Sequence, residues 1–188
     1  MIRRLVALVL LAGSPTVSMA APVADAERVP IDLRRTTLIV RDMENSLRFY
    51  RDALGLKVVY DNVIRTPRAA ASDEAAQRSL RLVFVRANDD FIGIIGLIEY
   101  RKPVKAPPAL PPDAFSIGTN VLLFNAKDLD GTFAKARAVP GVTIVEEPVE
   151  TTYPGYDGKP PIPVRVSTLR DPDGFTIELN QLLVDKVR

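Results

Sequence analysis

Two halves of the chain repeat one pattern at a constant spacing, and this repeat restricts the fold more than any other feature of the sequence. Asp42, an expected helix N-cap, matches Asp128, and Gly55, an expected helix end, matches Gly141. Both pairs lie 86 positions apart (128 − 42 and 141 − 55). The apolar stripes of the two expected helices keep this spacing, which pairs Met43 with Leu129 and Leu47 with Phe133. A spacing shared by a cap, a stripe and an end indicates an internal duplication.

Each half of the chain predicts the same order of elements, which is a strand, a helix and three further strands. Alternating apolar residues mark the strands, and a stripe at helical spacing marks each helix. We therefore expect an α+β protein of two βαβββ modules, at residues 33–100 and 116–188. The segments that carry these patterns are residues 36–63, 79–86 and 91–100 in the first half and 120–149, 163–170 and 175–183 in the second.

The remaining segments read as connections. Residues 101–115 contain five prolines, which a helix interior or a central strand does not accommodate, so we expect an extended linker between the modules. Residues 21–32 are expected to form an extended N-terminal segment. Residues 151–161 are rich in turn formers and join the second and third strands of their module. Tyr153 and Tyr156 lie in this loop, and we treat them as candidate lid residues.

The first twenty residues predict a secretory signal peptide. Arg3 and Arg4 form a basic start, an apolar run at residues 5–13 is too short to span a membrane, and residues 18–20 are small at the expected cleavage positions. We therefore expect a periplasmic or secreted protein without a membrane span, with an uncleaved N-terminal anchor as the alternative. Without Arg3 and Arg4, the 25 basic residues fall to 23, which balances the 23 acidic residues. This neutral balance does not favour a nucleic-acid partner.

Two absences from the composition limit the chemistry that this chain can perform. The chain contains no Cys, so an exported form is held together by its core without disulfides. It also contains no His, which removes the commonest metal ligand and the commonest general base. Nucleophilic mechanisms that depend on a Ser-His-Asp or Cys-His arrangement are thereby excluded.

Two stretches carry a resemblance to a known family. They are "FYRDALGLKV" at residues 49–58 and "DPDGFTIEL" at residues 171–179. With the two βαβββ modules, they resemble the vicinal oxygen chelate superfamily, which includes glyoxalase I, extradiol dioxygenases, and the fosfomycin- and bleomycin-resistance proteins. The resemblance covers residues 33–183. It implies an α+β fold in which the two modules form a cup-shaped, mostly antiparallel sheet, and it leaves the reaction open because the superfamily hosts many activities.

The resemblance also implies four inward-facing strand positions that hold a metal in metal-dependent members. They fall on Arg35, Gly96, Glu178 and Val121, or on Asn120 in place of Val121 if the strand carries a one-residue shift. Glu178 alone is a carboxylate, so we expect neither a metal nor another cofactor. A weak Mg²⁺ or Ca²⁺ site formed by Glu178 and Glu99, after a register slip that turns Glu99 inward, stays open.

Arg35 and Glu178 are expected to be neighbours inside the cup. Their ion pair would be either purely structural, or a functional pair in which Arg35 anchors a ligand oxyanion and Glu178 accepts a proton as the candidate catalytic residue. Aromatic and basic strand residues are candidates for the rest of the ligand site, although aromatic strand residues also serve as plain core. The candidate ligand-binding residues are Arg35, Asn120, Tyr60, Phe84, Tyr100, Phe124, Arg165, Tyr153 and Tyr156.

Three functions are compatible with these observations. The first is an exported protein that binds a small oxygenated or amphipathic molecule in the cup without a metal. The second is a metal-independent lyase or isomerase of the glyoxalase type that uses Glu178. The third is a structural or partner-binding module whose cup is filled by side chains. A homodimer, with the modules paired within or between chains, is compatible with all three.

Overall fold

The computed structural model describes residues 24–106, 109, 113–155, 158 and 160–183. The expected signal peptide and Tyr156 lie outside these described residues. Residues 24–30 belong to a different compact unit from residues 31–183 and contain a short 3₁₀ helix, Asp25–Glu27. Within the described part of the chain, no helix is both long enough and apolar enough to cross a membrane.

The first module is a four-stranded mixed sheet with one helical segment. Its elements are β1 (Arg35–Val40), α1 (Met43–Leu47) continued by a π-helical stretch (Arg48–Ala53), β2 (Lys57–Thr66), β3 (Arg78–Arg86) and β4 (Ile94–Lys102). The strand order is β1-β4-β3-β2, in which β1 and β4 are parallel and the other neighbours are antiparallel.

The second module repeats this arrangement. Its elements are β5 (Val121–Asn125), α2 (Leu129–Arg137), β6 (Thr143–Tyr153), β7 (Ile162–Arg170) and β8 (Thr176–Leu182), and its strand order is β5-β8-β7-β6. The parallel pair is β5 with β8. The prediction of an α+β protein with two βαβββ modules is confirmed.

Both helices begin as the repeat predicts. The Asp42 side chain accepts a hydrogen bond from the Asn45 amide at 3.1 Å, and the Asp128 side chain accepts one from the Gly131 amide at 3.0 Å. These bonds satisfy amides that have no partner inside the helix. Gly141 adopts a φ of 85°, in the left-handed region that suits glycine after a helix.

A single apolar core joins the two modules. Leu38 and Val40 of β1 and Ile177 and Leu179 of β8 are buried on the same core as the two helices. The helical residues of this core include Met43, Leu47, Phe49, Tyr50, Leu129 and Phe133. Because Phe49 is completely buried, its replacement by Ala would cost about 3–5 kcal/mol of stability.

The residues that carried the family resemblance hold the modules together. Asp171, which is buried in the β7–β8 turn, accepts the Tyr50 hydroxyl at 2.7 Å and the backbone amides of Asp173 and Phe175, each at 2.9 Å. Asp173 in turn accepts the Arg41 amide at 2.8 Å and the Ser46 hydroxyl at 3.0 Å. Both stretches therefore have a structural role at the module junction.

Candidate functional site

Each sheet has one face packed on the helices and one face turned away from them. In β1, Leu38 and Val40 are buried against the helices, whereas Arg35, Thr37 and Ile39 alternate with them and are exposed. We call the face that carries Arg35, Thr37 and Ile39, with its equivalent in the second sheet, the cup face. Alternation along the strand therefore places Arg35 on the face where the sequence predicted it.

Gly96 lies at the centre of the cup face of the first sheet. It is paired with Thr37 on β1 and with Phe84 on β3. A Cβ atom at this position would lie 2.9 Å from Thr37 Oγ1 and 3.2 Å from Arg35 Cδ. The missing side chain thus leaves the space over β4 that the aliphatic part of Arg35 occupies.

Arg35 crosses this space and reaches the next strand. Its guanidinium carbon lies 4.3 Å from the ring centroid of Phe84, which is close enough for a cation–π contact. Phe84 stacks on Tyr60 of β2, with a centroid separation of 4.9 Å and an interplanar angle of 26°. Arg35, Phe84 and Tyr60 thus form one stack that extends across the first sheet, and we call it the arginine stack.

The structure does not bring Arg35 and Glu178 together. Among the described residues, no carboxylate forms an ion pair with Arg35. Glu178 instead accepts the hydroxyl of Tyr153 at 2.7 Å. The expected Arg35–Glu178 pair is therefore replaced by two separate contacts. Arg35 contacts Phe84 within the first module, and Glu178 contacts Tyr153 within the second.

Glu178 lies in a polar cluster on the cup face of the second sheet. Leu123 and Thr168 are its neighbours on the adjacent strands. Asn180, two positions further along β8 on the same face, is only 3% exposed, and its Oδ1 atom has no hydrogen-bond partner within the described chain. Sequence reasoning missed Asn180, although its spacing from Glu178 places both on one face of a strand.

Tyr153 is the residue of the predicted lid loop that joins this cluster. It is the last residue of β6, and burial together with the neighbouring Glu178 carboxylate raises the pKa of its hydroxyl. The Tyr153 hydroxyl donates the hydrogen bond that joins the two residues, and the Glu178 carboxylate accepts it.

The positions that hold a metal in related proteins have an unsuitable set of donors in this chain. They carry a guanidinium at Arg35, no side chain at Gly96, an aliphatic side chain at Val121 and one carboxylate at Glu178. That carboxylate is already hydrogen-bonded to Tyr153. No group of three or more Asp and Glu side chains in the described residues is arranged to hold a metal ion. A zinc, nickel or iron centre needs several converging donors, which these residues do not supply.

Glu99 does not join Glu178 on the cup face. Its Oε1 atom accepts the Met43 amide at 3.1 Å, at the first residue of α1. Gln181 does the same for Leu129 in the second module, at 2.9 Å. The register slip that would turn Glu99 inward is absent. Glu99 pairs with Val40 of β1, which places its side chain on the helix face, where it accepts a hydrogen bond from an amide that has no partner inside the helix.

A cavity of about 560 Å³ lies where the two modules meet, and we call it the junction cavity. It is bounded by the end of β1, the end of β4, the first part of the linker, and the residues that begin β5 and β8. Its walls include Ile39, Tyr100, Lys105, Ile117, Asn120 and Thr176. Tyr100 and Asn120 are thus the two predicted ligand-binding residues that it brings together. The Lys105 ammonium lies 3.9 Å from the centroid of the Tyr100 ring.

Two other predicted ligand residues are on the wrong face of their strands. Phe124 packs against the apolar core, because Leu123 and not Phe124 has the cup-face position on β5. Arg165 forms ion pairs with Asp130 of α2 at 2.9 Å and with Glu150 at 3.9 Å. The sequence placed these residues on strands correctly, but alternation alone does not say which of the two faces is packed on the helix.

The fold and these positions define a protein of two βαβββ modules, each with one sheet face packed on a helix and the other turned away from it. The profile of the Glyoxalase/Bleomycin resistance protein/Dioxygenase superfamily matches residues 32–179. The chain therefore belongs to the glyoxalase, bleomycin resistance protein and dioxygenase superfamily. A comparison with curated proteins finds no match.

Solved structures are similar to this chain in fold. A glyoxalase family protein from Bacillus cereus has a TM-score of 0.61 at 17% identity, over 85% of this chain and 99% of that one. A trypanothione-dependent glyoxalase I from Leishmania major has a TM-score of 0.51 at 19% identity, over 80% of this chain and 86% of that one. At these identities the similarity extends to the fold alone.

Proposed function

We propose that the protein is exported and binds a small oxygenated or amphipathic molecule on its cup face without a metal. Export rests on the sequence of residues 1–20. It is tested by the mass of the protein recovered from the periplasm or medium, which should lack that segment.

The junction cavity is the observation that carries the binding proposal. Its volume of about 560 Å³ is within the range of roughly 300–1,000 Å³ that is typical of small-molecule sites. The walls combine apolar side chains such as Ile39 and Ile117 with a few polar groups, including Asn120 and Lys105. Such a mixture suits a ligand with an apolar body and one or two oxygen atoms.

Binding without a metal is supported by the donor set. A guanidinium at Arg35 and a glycine at position 96 occupy two of the four positions that would have to supply metal ligands. Hydrogen-bond donors of the protein, such as guanidinium, ammonium and amide groups, would therefore bind the oxygen atoms of the ligand.

The experiment uses a neutral fluorescent probe, N-phenyl-1-naphthylamine, which reports on apolar cavities. We expect saturable binding by the protein, weakened about tenfold or more by Ala106→Trp, which places an indole against the cavity. Ala134→Trp on the exposed side of α2 is the matched control and should leave the affinity unchanged. Equal affinities for both variants, or no saturable binding, would contradict the proposal.

One observation favours the second candidate function, a metal-independent lyase or isomerase. The Tyr153 hydroxyl and the Glu178 carboxylate form a hydrogen-bonded pair at 2.7 Å on the cup face, which is a geometry suited to proton transfer. The test is turnover of a 2-oxoaldehyde in the presence of a small thiol. Activity that survives metal chelation and is lost in Glu178→Gln would establish this function, whereas no turnover would reject it.

A further inference from the structure

The arginine stack has the properties of a preorganised anion site. The Arg35 guanidinium carbon lies 4.3 Å from the centroid of the Phe84 ring, and Phe84 in turn stacks on Tyr60. A guanidinium already held against a ring loses less conformational freedom on binding a ligand than an unrestrained one does. A cation–π contact involves the charge of the guanidinium and does not use its N–H groups as conventional hydrogen-bond donors.

The hydrogen-bonding capacity of Arg35 is unused within the described chain. Arg81 and Arg165, which occupy equivalent positions on the third strand of each module, each contact two carboxylates on the helix face. No described residue accepts a hydrogen bond from the Arg35 guanidinium. Its planar fork of donors matches the two oxygens of a carboxylate.

The surroundings of Arg35 define the rest of the ligand. Tyr60 is 36% exposed at one end of the arginine stack, and Ile39 is 44% exposed further along β1 on the same face. Gly96 leaves room for the aliphatic part of Arg35 to lie close over β4, which fixes the course of this side chain towards Phe84. The exposed surface beside the cation is therefore aromatic and aliphatic.

We propose that the arginine stack binds the carboxylate of a small organic acid with a flat apolar body. Arg35 holds the carboxylate by two parallel hydrogen bonds, and the apolar body lies against the exposed ring of Tyr60. This inference goes beyond the proposed function, because it concerns a different part of the cup face from the junction cavity. None of the three residues lines the junction cavity, so the two proposals can fail separately.

The test compares benzoate with benzamide, which has the same flat body without the charge. Protein purified from cells that express the full chain is titrated with each compound, and binding is followed by amide chemical shifts in chloride buffers of constant ionic strength. We expect benzoate to bind at least about tenfold more tightly than benzamide. Equal affinities, or no saturable binding of benzoate, would overturn the inference.

Arg35→Gln should abolish the preference for benzoate. Arg34→Gln is the matched control. Arg34 also lies over a phenylalanine, with its guanidinium carbon 4.5 Å from the centroid of the Phe91 ring, and the substitution removes the same charge one position away. It should leave the preference intact, and a loss as large as that of Arg35→Gln would indicate a nonspecific charge effect and overturn the site. If Arg35→Gln fails to fold, Arg35→Lys is used in its place. Lysine keeps the positive charge but cannot form two parallel hydrogen bonds to a carboxylate. An unchanged preference for benzoate in Arg35→Lys would therefore overturn the two-bond geometry.

The two sets of measurements distinguish the arginine-stack proposal from the junction-cavity proposal. If benzoate binding depends on Arg35 while the neutral probe does not bind, the arginine stack stands and the junction cavity is not a ligand site. If the neutral probe binds and benzoate shows no preference, the junction cavity stands and the arginine stack is a structural contact.

Discussion

The Tyr50 hydroxyl donates a hydrogen bond of 2.7 Å to Asp171, across 121 positions of sequence, and both residues are buried. Tyr50 comes from the helical segment of the first module and Asp171 from the β7–β8 turn of the second. The bond therefore couples the two modules at a place that excludes water. Buried polar groups of this kind are costly when they lose a partner, so the pair has measurable consequences for stability.

Tyr50→Phe should lower the free energy of unfolding by about 1–3 kcal/mol, because it leaves the buried Asp171 carboxyl without one of its donors. Urea denaturation of both proteins measures the difference. Tyr60→Phe is the control, since the Tyr60 ring is partly exposed on the cup face, and it should change stability by no more than about 0.5 kcal/mol. Equal effects of the two substitutions would show that the Tyr50–Asp171 bond contributes nothing specific.

Stability should also depend on pH through Asp171. Burial raises the pKa of this carboxyl to about 6, so the folded chain holds its proton more tightly than the unfolded chain does. This contribution to stability is complete below about pH 4 and is lost as the pH rises through about 6. The free energy of unfolding should fall on the order of 2–3 kcal/mol across this range, and no histidine titrates in it because the chain has none.

Two variants test whether Asp171 causes this pH dependence of stability. Asp171→Asn should be less stable than the parent protein at low pH, and its free energy of unfolding should not fall between about pH 4.5 and 7.5. Tyr50→Phe should move the transition to higher pH, because the Tyr50 hydrogen bond lowers the pKa of Asp171. A parent slope that persists in Asp171→Asn would place the titrating group elsewhere.

The repeat and the helix caps could be predicted because they depend on local sequence. Asp42 and Asp128 each satisfy an amide three residues away, so spacing alone identifies them. The face of a strand is different, since one residue of shift moves every side chain to the opposite side. The sequence therefore names Phe124 and Arg165 as candidate ligand residues without fixing their face, and in the structure Leu123 has the cup-face position on β5.

The partners of the candidate site could not be predicted either. Glu178 contacts Tyr153 at the end of β6, a strand that pairs with β7 through two register shifts. Arg35 reaches Phe84 because Gly96 on the intervening strand has no side chain. Both contacts depend on the three-dimensional register of three strands, which the spacing of residues along one chain does not contain.

Gly96→Ala should disturb the arginine stack directly. The added methyl group would lie 2.9 Å from Thr37 Oγ1 and 3.2 Å from Arg35 Cδ, so the two side chains must move. We expect a loss of about 1–3 kcal/mol in stability, measured by urea denaturation. Adding Thr37→Ala should restore part of this loss by removing the nearer contact. If the stability changes of the two single substitutions simply add in the double variant, Thr37 does not limit the space at position 96.

Metal removal should leave the protein unchanged. The four family positions supply one carboxylate, so we expect chelation of the purified protein with EDTA to shift the melting temperature by less than about 1 °C. Addition of Zn²⁺ or Mg²⁺ after dialysis should have equally little effect. Elemental analysis provides the decisive check, since one tightly held transition metal per chain would contradict the proposal that the protein works without a metal.

Glu178→Gln should lower the pKa of Tyr153. Burial is the largest cause of the raised pKa of the Tyr153 hydroxyl, and the hydrogen bond to the Glu178 carboxylate and its negative charge add to it. A neutral amide removes the charge that opposes tyrosinate formation, so the phenolate should appear at lower pH. Ultraviolet difference titration measures this change, and Tyr153→Phe identifies the signal because it eliminates that phenolate. If parent and Glu178→Gln titrate identically, the two side chains do not interact in solution, and the proton-transfer role of the pair loses its support.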